Sequence, residues 1–340
     1  MVSYSTELPT LYTRHSPEGK RMAYRVSRPN VLFIMSDQHR FDWLGCRGLK
    51  KLRTPNLDRL ADEGVLFSQA TCNSPLCAPA RAALATGLRP PRCHVLDNSY
   101  SLSLDAWTIY QHLPHQYYRT SLFGKLDLHK PQFYDGVRGD LPVVYQLGFT
   151  DPLEAEGKQH GAQRVLVEME DGSRQRLLLG PYQRHLQKKG LLESFSDDYE
   201  YRYAQHVHYA EPSVLPCEDF EDAWIGERAC DYLRQVNDDS PWFTFVSFVG
   251  PHNPWDAPAE YLERYLDSQM PTPAVDKGAD RAEWTQRKQE LMGRGTSPAT
   301  AQKMRQNYSA MVARLPVFAS GRYTGPQIQH PLIVQRVDEG

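Results

Sequence analysis

The run Val31-Leu32-Phe33-Ile34-Met35 is continuous, apolar and rich in branched side chains. A strand with no polar side must be buried on both faces, as in a parallel sheet covered by helices. Thr120-Ser121-Leu122-Phe123 and Trp242 to Val249 read as further buried strands. All three runs end in residues that carry chemistry or turn the chain: Ser36-Asp37-Gln38, Gly124-Lys125 and Gly250-Pro251-His252. In open α/β sheets, ligands bind at the carboxyl ends of the strands. Between these runs, Leu57 to Glu63 has helical spacing, with Leu57, Leu60 and Ala61 on one face and Gly64 as the stop. Ala80 to Leu88 reads as a helix halted by Pro90-Pro91, Trp107 to His112 as another, and Ala223 to Val236 as an amphipathic one. Val65-Leu66-Phe67 reads as a short strand. The alternation predicts an α/β fold with a mostly parallel central sheet and helices on both faces.

The segment Cys77-Ala78-Pro79-Ala80-Arg81-Ala82-Ala83-Leu84-Ala85-Thr86-Gly87 is the most specific chemical signal. Proline lacks a backbone donor and fits the first turn of a helix. Cys77 therefore falls at or just before a helix N-terminus, where the dipole and free N–H groups favour anions. Arg81 lies one turn on and faces the same site. A nucleophile, an anion-binding helix end and a guanidinium suit an oxyanion ester. The competing reading is a partly buried structural cysteine. A redox pair with Cys72 is disfavoured by the C-x4-C spacing and the intervening Pro75. Asp37 and Gln38 place two oxygen-bearing side chains at a strand end, which suits a hard divalent cation such as Ca²⁺ or Mg²⁺; the alternative is an Asp capping the next turn. His252, a loop histidine between prolines beyond a buried strand, is well placed to act.

Three blocks in order resemble the type I, formylglycine-dependent sulfatase family of the alkaline-phosphatase-like superfamily. They are Arg28-Pro29-Asn30-Val31-Leu32-Phe33-Ile34-Met35-Ser36-Asp37-Gln38, Thr54-Pro55-Asn56-Leu57-Asp58-Arg59-Leu60-Ala61-Asp62-Glu63-Gly64, and the Cys77 segment. The resemblance runs from about Pro29 to Val312. It implies that a separate maturation enzyme converts Cys77 to formylglycine. The hydrate of that aldehyde then attacks a sulfate ester and expels the alcohol. The resemblance makes Asp37, Gln38 and residue 77 the metal ligands, with Ca²⁺ favoured over Mg²⁺ or Mn²⁺. Arg81 and Lys125 would steady the ester oxygens, and His252 would assist the leaving group. Asp-Gln at the first ligand pair also occurs in a branch with choline-sulfatase-like enzymes and phosphonate monoester hydrolases, so phosphonate monoester or phosphodiester hydrolysis stays open.

The chain departs from the family at two places. The family has G-K-x-H, a lysine and a histidine beside the formylglycine, where this chain has Gly124-Lys125-Leu126-Asp127-Leu128-His129; the resemblance puts His129 in the catalytic set, with Asp127 as the alternative for orienting the formylglycine hydrate. The second metal-ligand pair, S-D-H-G or D-N on a late strand, and a further lysine have no counterpart. Asp97-Asn98 is the only Asp-Asn, and it falls in a loop. Resemblance stops after Asn307-Tyr308-Ser309-Ala310-Met311-Val312, which reads as a helix. A C-terminal truncation is therefore expected, with the smaller C-terminal subdomain missing. A non-catalytic remnant that binds sulfated ligands is the third reading.

The expected organisation is an N-terminal extension over 1–28, a catalytic domain over 29–312 and an atypical tail over 313–340. Within the domain, the polar, glycine-bearing stretch 135–198 reads as an insertion or lid, with a hairpin Arg164–Glu168/Arg174–Leu179 around Asp171-Gly172. Residues 257–306 read as surface helices and loops. Loss of the late strand is expected to leave a sheet edge unpaired and the protein prone to association, unless Leu315–Ala319 or Pro331–Val334 fills it. A net charge of -2 gives no field for nucleic acid or anionic membrane, and no apolar run approaches a membrane span. The start lacks the apolar core of a signal peptide, so a cytoplasmic location is expected. Cys46, Cys72, Cys77, Cys93, Cys217 and Cys230 fit no zinc spacing. His39 and His94 read as structural or supporting, and Trp255 as a pocket wall or core cover.

Overall fold

The structure, a computed structural model, describes residues 13–15, 21–23, 28–130, 142–205, 209–236, 240–272, 283, 286–287, 290, 296–315 and 332–335. Strands β1 (Thr13–His15) and β2 (Arg21–Ala23) form an antiparallel pair. The central sheet is built from β3 (Val31–Ser36), β4 (Arg119–Gly124), β5 (Asp151–Glu154), β8 (Trp242–Ser247) and β9 (Leu332–Gln335). Its order is β5-β4-β8-β3-β9, and every neighbouring pair is parallel. The strands β6 (Val165–Glu168) and β7 (Arg174–Leu177) make the hairpin expected around Asp171-Gly172, with Gly172 at φ +76.

The helices, in chain order, are α1 (Pro55–Glu63), α2 (Cys77–Thr86), α3 (Pro90–Cys93), α4 (Ile109–His115), α5 (Val143–Gln146), α6 (Gly157–Ala162), α7 (Pro181–Lys188), α8 (Leu192–Gln205), α9 (Glu221–Gln235), α10 (Ala259–Leu262) and α11 (Pro298–Arg314). They cover both faces, and the strand residues alternate between the two layers. Leu32, Phe123, Trp242 and Val246 pack with Tyr182, Phe195, Trp224 and Ile225 of α7 to α9. Phe33, Met35, Leu122, Phe243 and Phe245 pack with Ala78, Ala82, Tyr110 and Val144 of α2, α4 and α5. Period-2 side chains meeting apolar helices on each side is why these runs are continuous in sequence. A third cluster joins Trp43, Leu52, Tyr261 and Tyr265 to Met311 and Val312 of α11.

Several local expectations need correction. Helix α2 starts at Cys77 rather than Ala80, and Gly87 ends it at φ +70, donating its N–H to the Ala83 carbonyl. Pro90 and Pro91 do not halt that helix; they open α3, where a missing N–H costs nothing. Val65-Leu66-Phe67 is not a strand. It is exposed, Val65 at 79% and Phe67 at 72%, and pairs with no strand among the described residues. The described part of 135–198 is not an irregular lid. It supplies β5 to the sheet edge and packs Tyr182, Leu186, Leu192 and Phe195 into the core. The outer edge of β3, expected to be bare unless a tail segment filled it, is paired with β9, which overlaps the candidate Pro331–Val334, in the register Phe33↔Leu332 to Ser36↔Gln335. Of the tail, Pro331 and 316–319 lie outside the described residues. In 257–306 the surface reading holds only in part, because Tyr261, Leu262, Tyr265 and Met270 are buried.

Candidate active site

At the end of β3, the Asp37 amide donates to the Gly250 carbonyl at 3.1 Å, which binds this strand end to the loop after β8. Gln38 then adopts a left-handed backbone, φ +59, and the chain leaves the sheet. Tyr308 of α11 fixes that turn: its hydroxyl donates to the Gln38 carbonyl at 2.7 Å and accepts from the Arg40 amide at 2.7 Å. The Asp37 side chain is fully buried.

Three other segments bring side chains to this carboxylate. Cys77, the first residue of α2, lies with Sγ 3.6 Å from Asp37 Oδ1. Asn98 accepts the Ala78 amide at 3.0 Å and so closes the same helix end. Arg81, one turn on and 3% exposed, donates from Nη2 to Asp37 Oδ2 at 3.0 Å. Its Nη1 donates to the Lys125 carbonyl at 2.6 Å and to Ser247 Oγ at 2.9 Å. Lys125 Nζ donates to Asp37 Oδ2 at 2.7 Å and stands 3.7 Å from Asp127. Gly124 makes this close approach possible. Its φ is +102, and a Cβ there would meet the Ser247 carbonyl oxygen at 2.0 Å.

The electrostatics follow from this packing. Burial pushes the Asp37 carboxyl up, but Lys125 and Arg81 together hold it well below the usual carboxylate range. Burial disfavours the Lys125 ammonium, yet Asp37 and then Asp127 raise its pKa. His252 is half-buried; burial and then Lys125 lower its pKa, with Asp37 opposing. Its Nδ1 lies 2.6 Å from the Asn253 carbonyl, an acceptor only, so Nδ1 carries the proton and Nε2 is left for other chemistry. Both peptide bonds Gly250–Pro251 and Asn253–Pro254 are cis. Asp222 grips the start of this loop, accepting from the amides of Val249 at 2.8 Å and Gly250 at 3.0 Å.

The structure thus joins Asp37, Cys77, Arg81 and Lys125 directly, with His252 near enough to feel the Asp37 and Lys125 charges. Gln38 is turned toward the same loop, its Oε1 accepting from the Asn253 amide at 3.4 Å. Of Asp127 and His129, it is Asp127 that contacts the site lysine. Asp127, at φ +59, reaches Lys125 and lies 3.4 Å from Lys130. His129 enters none of these contacts, and its buried Nδ1 has no hydrogen-bond partner among the described residues. His39 is structural, bonded to Ser36 Oγ and the Trp43 carbonyl, and burial lowers its pKa to about 4. His94 is exposed at the C-terminus of α3, and Trp255 packs against the α11 cluster. Sequence reasoning missed Ser247, Asp222, Lys158 and Tyr308. Ser247 alone had a signal, a hydroxyl inside an apolar strand.

For a divalent cation, the fit is incomplete. Asp37 and Gln38 offer three side-chain oxygens between them where a hard cation takes six or more. The Asp37 carboxylate is already engaged by two cationic side chains. Among the described residues, no group of three or more His, Cys, Asp or Glu could hold a metal ion.

Comparison with known proteins is consistent with this geometry. The family model described as Sulfatase matches residues 29–315. An uncharacterised sulfatase, YidJ, of Escherichia coli K12 is 28% identical over 71% of this chain and 42% of its own length. An arylsulfatase of Clostridium perfringens is 25% identical over 78% of this chain and 52% of its own. The chain spans about half the length of these curated relatives. Among solved structures, the phosphonate monoester hydrolase of Agrobacterium radiobacter superposes with a TM-score of 0.60 at 23% identity, covering 86% of this chain and 58% of that one. A putative sulfatase, yidJ, of Bacteroides fragilis gives 0.57 at 20% identity, covering 93% and 63%. These likenesses establish the fold: the alkaline-phosphatase-like α/β architecture.

Proposed function

Because this chain belongs to the sulfatase family, we propose that it carries the machinery for hydrolysing sulfate esters at a nucleophile derived from Cys77. One observation supports this most: a single buried carboxylate, Asp37, gathers the Cys77 sulfur and two cations delivered by separate segments. Converted to formylglycine by a maturation enzyme, residue 77 would supply an oxygen nucleophile at the start of α2.

The chain's own groups then have distinct tasks. The α2 N-terminus, Arg81 and Lys125 together favour an oxyanion: Asp37 is shared by both cations, and Asp127, the second carboxylate near Lys125, is shared with Lys130. Arg81 is held by the Lys125 carbonyl and Ser247, so its orientation is set before an ester arrives. Lys125 is drawn between Asp37 and Asp127, which keeps it charged. His252, with its Nδ1–H committed to the Asn253 carbonyl, presents Nε2, which in the doubly protonated ring would donate its proton to the oxygen of the departing alcohol and leave the neutral imidazole. Asp37 and Gln38 are the side chains that would face a calcium ion, but no step here depends on one, since the donor set is incomplete. The substrate we propose is a small sulfate ester.

Peptide mass spectrometry after co-expression with a formylglycine-generating enzyme tests the nucleophile. Conversion of Cys77 is expected, and an unmodified thiol counts against the proposal. On the matured protein, turnover of p-nitrophenyl sulfate is compared with a phenylphosphonate ester. Sulfate preference is expected. A phosphonate preference of several orders of magnitude would replace it with phosphonate or phosphodiester hydrolysis, since both esters present a tetrahedral oxyanion to the same residues. Conversion with no turnover of either would favour a non-catalytic sulfatase-like binder.

A further inference from the structure

Lys158, the second residue of α6, is 5% exposed. Its ammonium makes three hydrogen bonds, to the His252 carbonyl at 3.1 Å, the Pro254 carbonyl at 2.9 Å and Asp256 Oδ1 at 2.6 Å. Those use all three of its donors. The other Asp256 oxygen accepts from the Tyr199 hydroxyl of α8 at 2.5 Å, and Tyr199 is 1% exposed. Taking an ammonium out of water costs several kcal/mol, and a full set of partners is needed to offset it. Apolar side chains would fill the same space without that cost. The position of the bonds is informative: two of the three fall on carbonyls of the loop that carries His252.

Other bonds to that loop lie mainly at its start. Asp222 holds it there through the Val249 and Gly250 amides. The His252 amide donates to the Val249 carbonyl at 3.2 Å, and the Asn253 amide reaches Gln38 at 3.4 Å. The ring itself is oriented by the Asn253 carbonyl. Lys158 grips the residues on both sides of Asn253, so the peptide that orients the ring is fixed through it. We propose that Lys158, with Asp256 and Tyr199 behind it, is a positioning residue that aims His252 at the leaving group. This deepens the proposed function, since it rests on His252 assisting the departing alcohol.

The test uses the full chain and two readouts. Lys158→Met alone would leave Asp256 buried and without its cation, so Lys158→Met/Asp256→Asn is the informative variant, with His252→Ala alongside. On matured protein, kcat and KM are measured for aryl sulfates whose phenols differ in acidity. The double variant is expected to lose about tenfold or more in kcat for weakly acidic phenols and much less for p-nitrophenol. KM should stay within about threefold, so that the loss lies in the transition state. An equal loss for every phenol, with His252→Ala still discriminating among them, overturns the positioning role and spares the reading of His252. A His252→Ala variant that does not discriminate overturns both. Without turnover, the imidazole Nδ1–H proton resonance decides. Assigned by its loss in His252→Ala, it should broaden or vanish in the double variant, and an unchanged resonance overturns the proposal.

Discussion

Replacing Asp37 by Asn removes one negative charge and almost no volume. At 3.0 Å from Arg81 and 2.7 Å from Lys125, that charge attracts each cation by about 5–6 kcal/mol at an effective dielectric of 20, before desolvation is subtracted. Among the described residues Arg81 meets no second anion; its remaining partners are the Lys125 carbonyl and the Ser247 hydroxyl. Breaking a buried pair this way costs about 3–5 kcal/mol. Lys125→Met should cost less, about 1–3 kcal/mol, because Asp37 keeps Arg81. The double variant should be less destabilised than the sum, by about 1 kcal/mol or more, since no ammonium is then left facing the uncharged amide at position 37. Urea unfolding of unmatured protein measures all four corners without needing activity. The Asp37 carboxyl is depressed in the folded state, so its contribution is complete above the unfolded value of 3.8 and fades as pH falls through the lower folded value. The Asp37→Asn penalty should therefore be full at pH 7 and shrink in strong acid. An Asp37→Asn protein within about 0.5 kcal/mol of wild type, or strict additivity, would show that the cluster is not a coupled charge network.

Glu154, at the end of β5, has its pKa raised to about 8 by burial and by Asp127. A raised acid loses stability as pH climbs from its unfolded 4.5 to about 8, so Glu154→Gln should melt progressively higher than wild type across that window; parallel melting temperatures would refute the shift. Gly124→Ala should destabilise by about 2 kcal/mol or more and displace Lys125, because φ is +102 and the added Cβ meets the Ser247 oxygen; wild-type stability in urea would contradict the geometry. Val65→Ser/Phe67→Ser should leave stability within about 0.5 kcal/mol yet reduce self-association, and a wild-type chain that is already a monodisperse monomer by light scattering would remove the premise. Calorimetric titration should find no micromolar Ca²⁺ site; one abolished by Asp37→Ala would mean that residues beyond Asp37 and Gln38 complete the donor set.

Much of the sheet was legible because three strands are buried on both faces. Burial on both faces leaves an unmistakable mark, as in Val31–Ser36 and Trp242–Ser247, where polar residues are nearly absent. The start of α2 was legible in part: Pro79 puts Cys77 at or just before a helix N-terminus, but the pattern reads as a helix over Ala80 to Leu88 stopped by Pro90-Pro91, whereas Gly87 ends it. Those local rules also located Asp37, Cys77 and Arg81, whose spacing carries the family signature. Strand β5 was not legible. Asp151-Pro152-Leu153-Glu154 has no apolar pattern, and it becomes a strand because β4 offers it an unpaired edge. Val65-Leu66-Phe67 fails the other way: its composition favours a strand, but none of the described strands lies beside it to pair with. Tertiary structure alone decided that Asp127 rather than His129 meets Lys125, since that depends on a left-handed turn at Asp127. It also decided that a lysine in the featureless Gly157-Lys158-Gln159 would reach the His252 carbonyl from a distant segment. Sequence determines which groups can carry charge and which strands must be covered. Which charges meet is set by long-range packing, because a buried ion becomes stable only once all its partners are in place.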